Sequence, residues 1–567
     1  MAFEKITLVQ ILFDSGTRYY SFEGISADRF YEPKLRGIDS ILRESGFGLR
    51  TGFRISGTVL RLNNADKEFT QLKAQTPFRN RVVNILFGNV GDDINEFITV
   101  FSGRISDWNL TSTGIAEIRV NDAIFDTIKR KLGGFIDAKE TGFENRPADS
   151  PTRLKTIIYG NVSSIGFSGI GDVPCYRIDP AIGQSKFRYF VARHICKEIT
   201  NVYNYETLVS PSAYTVTDDG TNQFIDFTAD PKDPDRPDEF EVTIDVKGIT
   251  DTGLASGTLL ESPADQIDHY LKNYSGIVAA DIDTASIAKT KTAAASLGYA
   301  SAFAIVDPNI THDTVINRFS ESFQIRFFIN KEGKYATALF FLTDIADSSV
   351  LQTITDESDI IRKKFKVEGP KEVSSRLQFN FGYNWAKNFF SNQPDQQSPS
   401  ELINLGADLR ANVNLWYVRN SATATNLSIQ MLFELRENQQ LAIFEVPIRL
   451  FDLELNDFIQ VTHFIGPTTK GTGYKRVAFR IVGLRIFFNG RQMRVSVRAI
   501  RISDKDELSE GFWQRYIKFG DETLIPSTWP SILLDEDKDY WYMGDDTVFA
   551  GSPEGTLGTN DPIKLWF

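Results

Sequence analysis

The residue types that could do chemistry are thinly spread in this chain. Three adjacent acid pairs, Asp92-Asp93, Asp218-Asp219 and Asp545-Asp546, could in principle serve a glycoside hydrolase, which needs two carboxylates across a cleft. Each pair stands beside Gly or Asn, the setting of a solvated turn, so loop charge is the expected role. The four histidines, His194, His269, His312 and His463, fall in different expected folding units, and no triad or metal cluster can be assembled from their spacing. Cys175 and Cys196 form no CxxC pair and lie near no histidine cluster. Two reduced, buried thiols are expected, with neither a zinc site nor a disulfide framework.

Two glycine-rich runs invite a nucleotide reading and then refuse it. GFSGIGD, with Gly166, Gly169 and Gly171, opens no helix pattern, so it lacks the helix N-terminus on which a phosphate cradle depends. In GPTTKGTGYK, from Gly466, Lys470 precedes Gly471 where a P-loop needs Gly before Lys, and the run joins two expected strands. Catalytic residues, cofactor and metal are accordingly all expected to be none.

Charge narrows the field further. A net charge of −12 with no Lys/Arg-rich run excludes a protein that grips phosphate backbones through cationic contacts. DNA could still pass nearby, because an acidic surface repels it and keeps it from sticking. The apolar run ITLVQILF near the N-terminus leads straight into Asp14 and an aromatic strand without an A-x-A pattern, so it reads as a first β-strand. No run reaches the roughly 18 apolar residues of a spanning helix, and the chain is expected to be soluble, without a membrane anchor, and made in a cytoplasm.

The elements that would position any site are mostly strands. Phe and Tyr are abundant while His and Met are scarce, which favours pleated sheet, and 567 residues are too many for one core. Residues 1–150 show short strands broken by Gly, Asn and Asp and should form a small barrel or sandwich. Residues 151–254 read as a β-rich insertion, with ADPKDPDRPDE as a solvated hairpin tip. Residues 255–345 read as a small α/β unit: a helix in SPADQIDHYLKNY capped by Ser262, a second from Asp283 to Gly298, a third from Thr311, then a hairpin turning at Asn330–Gly333. Strands return over 346–500, interrupted by SNQPDQQSPSE, an expected exposed loop. Residues 501–567 carry an aromatic-rich arm in which Trp529, Tyr540, Trp541, Tyr542, Trp566 and Phe567 are candidate partner-binding anchors, docked on a neighbour or wrapped on the chain's own last barrel.

The two ends of the chain also repeat a pattern. NEFITV at 95–100 returns as NDFIQV at 456–461. Arg104-Ile105 and Arg480-Ile481 are each followed ten residues after the Arg by a glycine, Gly114 and Gly490, and then by Arg119-Val120 and Arg494-Val495. The last spacing differs by one residue, which a bulge or altered turn absorbs. Two copies of one β-unit are expected, with two different units inserted between them.

Over most of residues 5–500 the order of these motifs resembles the tail hub, or baseplate hub, proteins of tailed bacteriophages and gene transfer agents. FRNRVVNILFGNV with EFITVFSGRISDWNL resembles that family's first strand series. EFEVTIDVKG with SPADQIDHYL and DIDTASIA resembles its middle, and FEVPIRLFDLELNDFIQVTH with FRIVGLRIFFNGRQMRVSV its last barrel. The resemblance implies a mainly β, multidomain fold, with two similar tube-like β-barrels flanking a β-rich insertion and a small α/β domain. It implies a homotrimer whose six barrels form a ring that continues a six-fold tail tube or distal tail protein hexamer, anchors fibres or receptor-binding proteins and gates the passage of genomic DNA without binding it specifically. The place implied is the virion tail tip, after synthesis in a host bacterium. A carbohydrate-binding adhesin and a cell-wall hydrolase are the rival readings; no segment matches the peptidase or lysozyme-like domains that some family members carry.

Overall fold

The computed structural model describes residues 5–503 except 28, 46–56, 123–124, 137–152, 164–170, 179–186, 206, 232–241, 340–351, 357, 362–363, 370–371, 436–439, 448–452, 469–470 and 490–491. The chain is mainly β, with 49% strand against 18% helix, and its largest elements are two curled sheets at opposite ends of the sequence. Their strands are labelled here in chain order.

The first sheet contains β1 (Lys5–Phe13), β2 (Gly16–Ser21), β3 (Leu35–Ile38), β5 (Gly57–Asn63), β6 (Val82–Asn89), β7 (Ile98–Leu110) and β8 (Ile115–Asp122), in the order β2-β1-β6-β7-β8-β5-β3. Between β3 and β5 runs β4 (Ile41–Glu44), which pairs elsewhere. Period-two alternation decides which face is buried: Thr58, Leu60 and Leu62 of β5 and Ala116, Ile118 and Val120 of β8 point inward while their neighbours stay wetter. The curl brings the far edges together, since Glu32 bonds the backbone of Tyr19 and Ser21 on β2 and Lys34 receives the Asn63 amide from β5.

The second sheet contains β9 (Gln352–Thr355), β10 (Lys366–Glu368), β11 (Leu441–Pro447), β12 (Phe458–Thr468), β13 (Gly471–Asn489) and β14 (Gln492–Ser503), in the order β9-β12-β13-β14-β11-β10. Its alternation is as regular: Met493, Val495, Val497 and Ala499 of β14 are buried, while Arg494, Ser496 and Arg498 between them are less so.

Five strands of each sheet correspond in chain order, spatial order and direction. β6-β7-β8-β5-β3 and β12-β13-β14-β11-β10 are both antiparallel throughout, each a three-strand meander whose last strand returns beside an earlier one. The sheets differ at the outer edge, where β1 runs antiparallel to β6 but β9 runs parallel to β12. The two hexamers are not equivalent in this match. NEFITV leads into β7, NDFIQV into β12, and β12 corresponds to β6. EFITVFSGRISDW is largely the single 13-residue β7. The dipeptides do correspond: Arg104-Ile105 and Arg480-Ile481 lie on β7 and β13, and Arg119-Val120 and Arg494-Val495 on β8 and β14.

The segments between the two sheets in sequence build a separate core. It gathers Ile157, Val191, Val202 and Ile244 from strands of 157–247, Ile267, Ile287 and Phe319 from the helices Pro263–Asn273, Thr284–Ser296 and His312–Phe323, and Leu377, Phe379, Leu427 and Met431 from 376–435. This core divides the chain differently from the linear reading at two places. Ile128 and Leu132 leave the first unit's span of 1–150 for it, and residues 376–435 leave the span 346–500 for it, because their apolar faces find partners there. SNQPDQQSPSE, expected as a loop, contributes two short strands, Phe389–Asn392 and Asp395–Gln397, and the start of the helix Pro399–Leu405. These strands hydrogen-bond along Arg376–Asn384 without needing apolar side chains, which is why the sequence concealed them.

The three expected helices and the hairpin form near their expected limits. Asp283 caps its helix by accepting from the amides of Ala285 and Ser286, and Gly333 takes a φ of +77° at the hairpin turn. Ser262 holds the N-cap position, but its hydroxyl makes no capping bond. Trp529, Tyr540, Trp541, Tyr542, Trp566 and Phe567 lie outside the described residues, as does most of ADPKDPDRPDE.

Candidate assembly interface

The acid pairs are consumed by their own turns. An Asp92 oxygen accepts from the Asn89 amide at 3.1 Å, and Asp93 from Asn95 at 2.9 Å. Asp218 accepts from Gly220 at 3.0 Å and Asp219 from Thr221 at 2.9 Å; Asp545 and Asp546 lie outside the described residues. Cys175 and Cys196 are free and buried, and burial pushes both thiols well up. Among the described residues no group of three or more His, Cys, Asp or Glu is placed to hold a metal ion, and no helix is long and apolar enough to cross a membrane.

Three histidines that sequence separates are brought together around a tyrosine cluster in the middle core. His269 shares a hydrogen bond with the Tyr159 hydroxyl at 2.8 Å, and His312 with the Tyr270 hydroxyl at 2.7 Å. Tyr274 lies against His269 and Tyr270, with the Arg193 guanidinium over its ring. His194 Nε2 accepts the Ile158 amide at 2.9 Å, which fixes the neutral tautomer with its proton on Nδ1, toward the Ile195 carbonyl. Burial holds His194 down to about 3 and His312 to about 4. An unfolded histidine protonates near 6.5, so below that pH the unfolded chain takes up protons that the folded chain refuses, and stability falls as pH drops toward 4. Asp172 and Asp457, whose carboxyls burial raises to about 6, oppose this trend, so the test is differential: in urea unfolding His312→Gln should make the change in stability from pH 7 to pH 4 less unfavourable than in wild type by about 2–3 kcal/mol. A pH profile unchanged in that variant would contradict the assignment.

The site that ties distant parts of the sequence together is the joint between the two sheets. β12 pairs with β13 only as far as Arg480, and β13 runs on to Asn489. Past a register shift at Ile481/Gly483 the vacated edge of β13 is taken by β4, which pairs Glu44 with Gly483, Arg43 with Leu484, Leu42 with Arg485 and Ile41 with Ile486. The chain that leaves the first sheet at β3 therefore pairs next on the second. The link from β3 to β4 is only two residues long, and both are tied down. Asp39 donates its amide to the Val59 carbonyl and pairs with Arg61, while the Ser40 hydroxyl accepts from Arg485 at 2.9 Å.

Buried charge locks this joint. Arg43, 4% exposed, donates to the Ile329 carbonyl at 2.8 Å and pairs with Glu454, whose other oxygen accepts the Lys331 amide at 2.7 Å. Arg498 pairs with Glu44. Arg480, 2% exposed, donates to the Leu339 carbonyl at 2.8 Å, so the hairpin Ile325–Ile329/Tyr335–Leu339 is clasped at both ends. Phe328 and Ala336 of that hairpin enter one apolar cluster with residues of both sheets, from Val9 and Val120 to Phe444 and Ala499. Removal of apolar surface from water drives this closure, and the charge pairs fix its register. Composition gave no hint of this site. The signal available was the short ILRE run of β4, apolar at its start and charged at its end.

What fold and joint define is a mainly β scaffold of two like sheets, in which the strand following the first sheet's edge pairs on the second. No protein-family description and no curated protein matches the chain. Solved structures similar to it include the 43 kDa tail protein of a Shewanella oneidensis prophage, at 8% identity over 88% of this chain and 98% of that one, with a TM-score of 0.42. A tail protein of Neisseria meningitidis is similar at 8% identity over 88% and 97%, with a TM-score of 0.40. A chain of a native gene transfer agent virion is similar at 11% identity over 66% and 89%, with a TM-score of 0.38. Tail and virion proteins are thus its structural neighbours, the classes that the sequence resembles.

Proposed function

We propose that this chain is a structural hub of a bacteriophage tail tip or baseplate, acting through interfaces and not through a reaction. The observation that carries the reading is the repeated five-strand topology, with β4, two residues beyond the first sheet's β3, paired on β13 of the second. A protein with two like sheets side by side supplies two near-equivalent positions of a ring, so three copies supply six. That arrangement lets a three-fold tip meet a six-fold tube without a second kind of subunit. The hub would carry fibres or receptor-binding proteins on its outer surface and open for the genome. The aromatic anchors Trp529, Tyr540, Trp541, Tyr542, Trp566 and Phe567 remain the proposed docking points for a partner.

The acidic balance, −12 overall, suits a bore through which DNA slides, because like charge prevents arrest. Native mass measurement on the purified chain and imaging of virion tips test the hub reading together. Trimers with this chain at the tail tip are expected; a strict monomer absent from tips would sink it. Duplex DNA titrated against the trimer at physiological salt should show no saturable binding, and tight binding would remove the passive-bore part of the proposal.

A further inference from the structure

The equivalence of β7 and β13 has an asymmetric remainder. On β13 the edge beyond the end of β12 is filled by β4. On β7 no strand of the described residues fills the edge beyond the end of β6, though Arg79 reaches Asp107 and Phe78 and Lys73 lie against the Trp108 ring: pairing with β6 stops at Arg104, and Ile105 makes the last backbone bonds described on that side, donating to the Arg81 carbonyl and accepting from the Asn80 amide. From Asp107 to Leu110, β7 has β8 along one side, and among the described residues no strand along the other. Thr111 donates to the Ile115 carbonyl at the hairpin turn, and antiparallel alternation from there turns the backbone N–H and C=O of Trp108 and Leu110 away from β8. Asp107 and Asn109 are exposed, and Trp108 and Leu110 are half-buried with their rings or methyls against the sheet core.

We propose that Asp107–Leu110 takes a strand from a second copy of this chain, reproducing between copies the pairing that β4 makes with β13 inside one. The occupant follows from the internal joint. The same strand position in a sheet of the same topology already accepts a short strand that follows the edge of a like sheet, and a second copy is the source of another. The contact is head-to-tail, because acceptor and donor are different surfaces, so repetition generates a closed ring when the rotation fits. This inference rests on the hub reading and assigns one of its interfaces.

The test uses the full chain. Leu110→Pro removes an outward N–H without touching the ladder to β8, a position where proline is tolerated on an edge. Leu110→Ala loses the same side-chain packing but keeps the N–H. Sedimentation over a concentration series should show wild type and Leu110→Ala assembled and Leu110→Pro monomeric. Hydrogen exchange at the Trp108 and Leu110 amides should slow by about 100-fold or more on assembly. If wild type assembles but these amides exchange freely and Leu110→Pro assembles equally well, the strand-acceptor assignment is overturned while the hub reading stands. A wild-type chain monomeric at every concentration overturns both.

Discussion

Arg43→Met should lower the unfolding free energy by about 3–5 kcal/mol, the cost of breaking a buried ion pair by removing one partner. The methionine fills much of the arginine's volume but donates no hydrogen bond. The Ile329 carbonyl then loses its donor, and Glu454 keeps only the Lys331 amide. Since Arg43 ties β4 to both the hairpin and the second sheet, the loss should also be local: exchange at the β4 amides should quicken before global unfolding. Urea unfolding followed by tryptophan fluorescence, with hydrogen exchange on β4, checks both parts. Arg43→Met/Glu454→Gln should recover part of the loss, because the stranded carboxylate is gone. A single variant as stable as wild type would show that apolar burial alone holds the joint.

Arg419→Met is expected to cost a similar amount, about 3–5 kcal/mol, at a second buried ion pair. Arg419 and Asp172 form an ion pair whose side chains are 6% and 4% exposed. Arg419 also donates to the Tyr383 carbonyl at 2.9 Å, and Asp172 accepts from Asn384. The Asp172 main-chain carbonyl receives the Trp385 amide at 3.0 Å. This cluster fastens residues 376–435 to the strands before residue 250, two segments far apart in the chain. Without the guanidinium the buried carboxylate keeps the Asn384 amide but loses its counter-charge, so Asp172→Asn/Arg419→Met should be markedly more stable than Arg419→Met alone. Additive losses in the double variant would show that the two residues act independently.

Local features were legible because they need only neighbours in sequence. The turn at Asn330–Gly333, the helix start at Asp283 and the alternating strands of both sheets all follow from residue type and short spacing. The duplication was legible through Arg104-Ile105 and Arg480-Ile481, which occupy corresponding strands, but the matching hexamers that first suggest it do not correspond. Two short strand entries with the same amphipathic need converge on similar words. The joint was not legible. β4 is four residues long and its partner lies about 440 residues away, so no periodicity in either segment announces the pairing. The histidine cluster was hidden for the same reason: three residues from separate elements meet only once the middle core has closed.

The strand that leaves the first sheet to pair on the second has a mechanical consequence. A linker between rigid bodies absorbs rotation by turning single bonds, and each body then feels little of a load placed on the other. Here the two-residue link is pinned at both positions, and β4 is laced to β13 through main-chain hydrogen bonds. Twisting one sheet against the other must tear those bonds together, so the pair transmits torque as a stiff beam does.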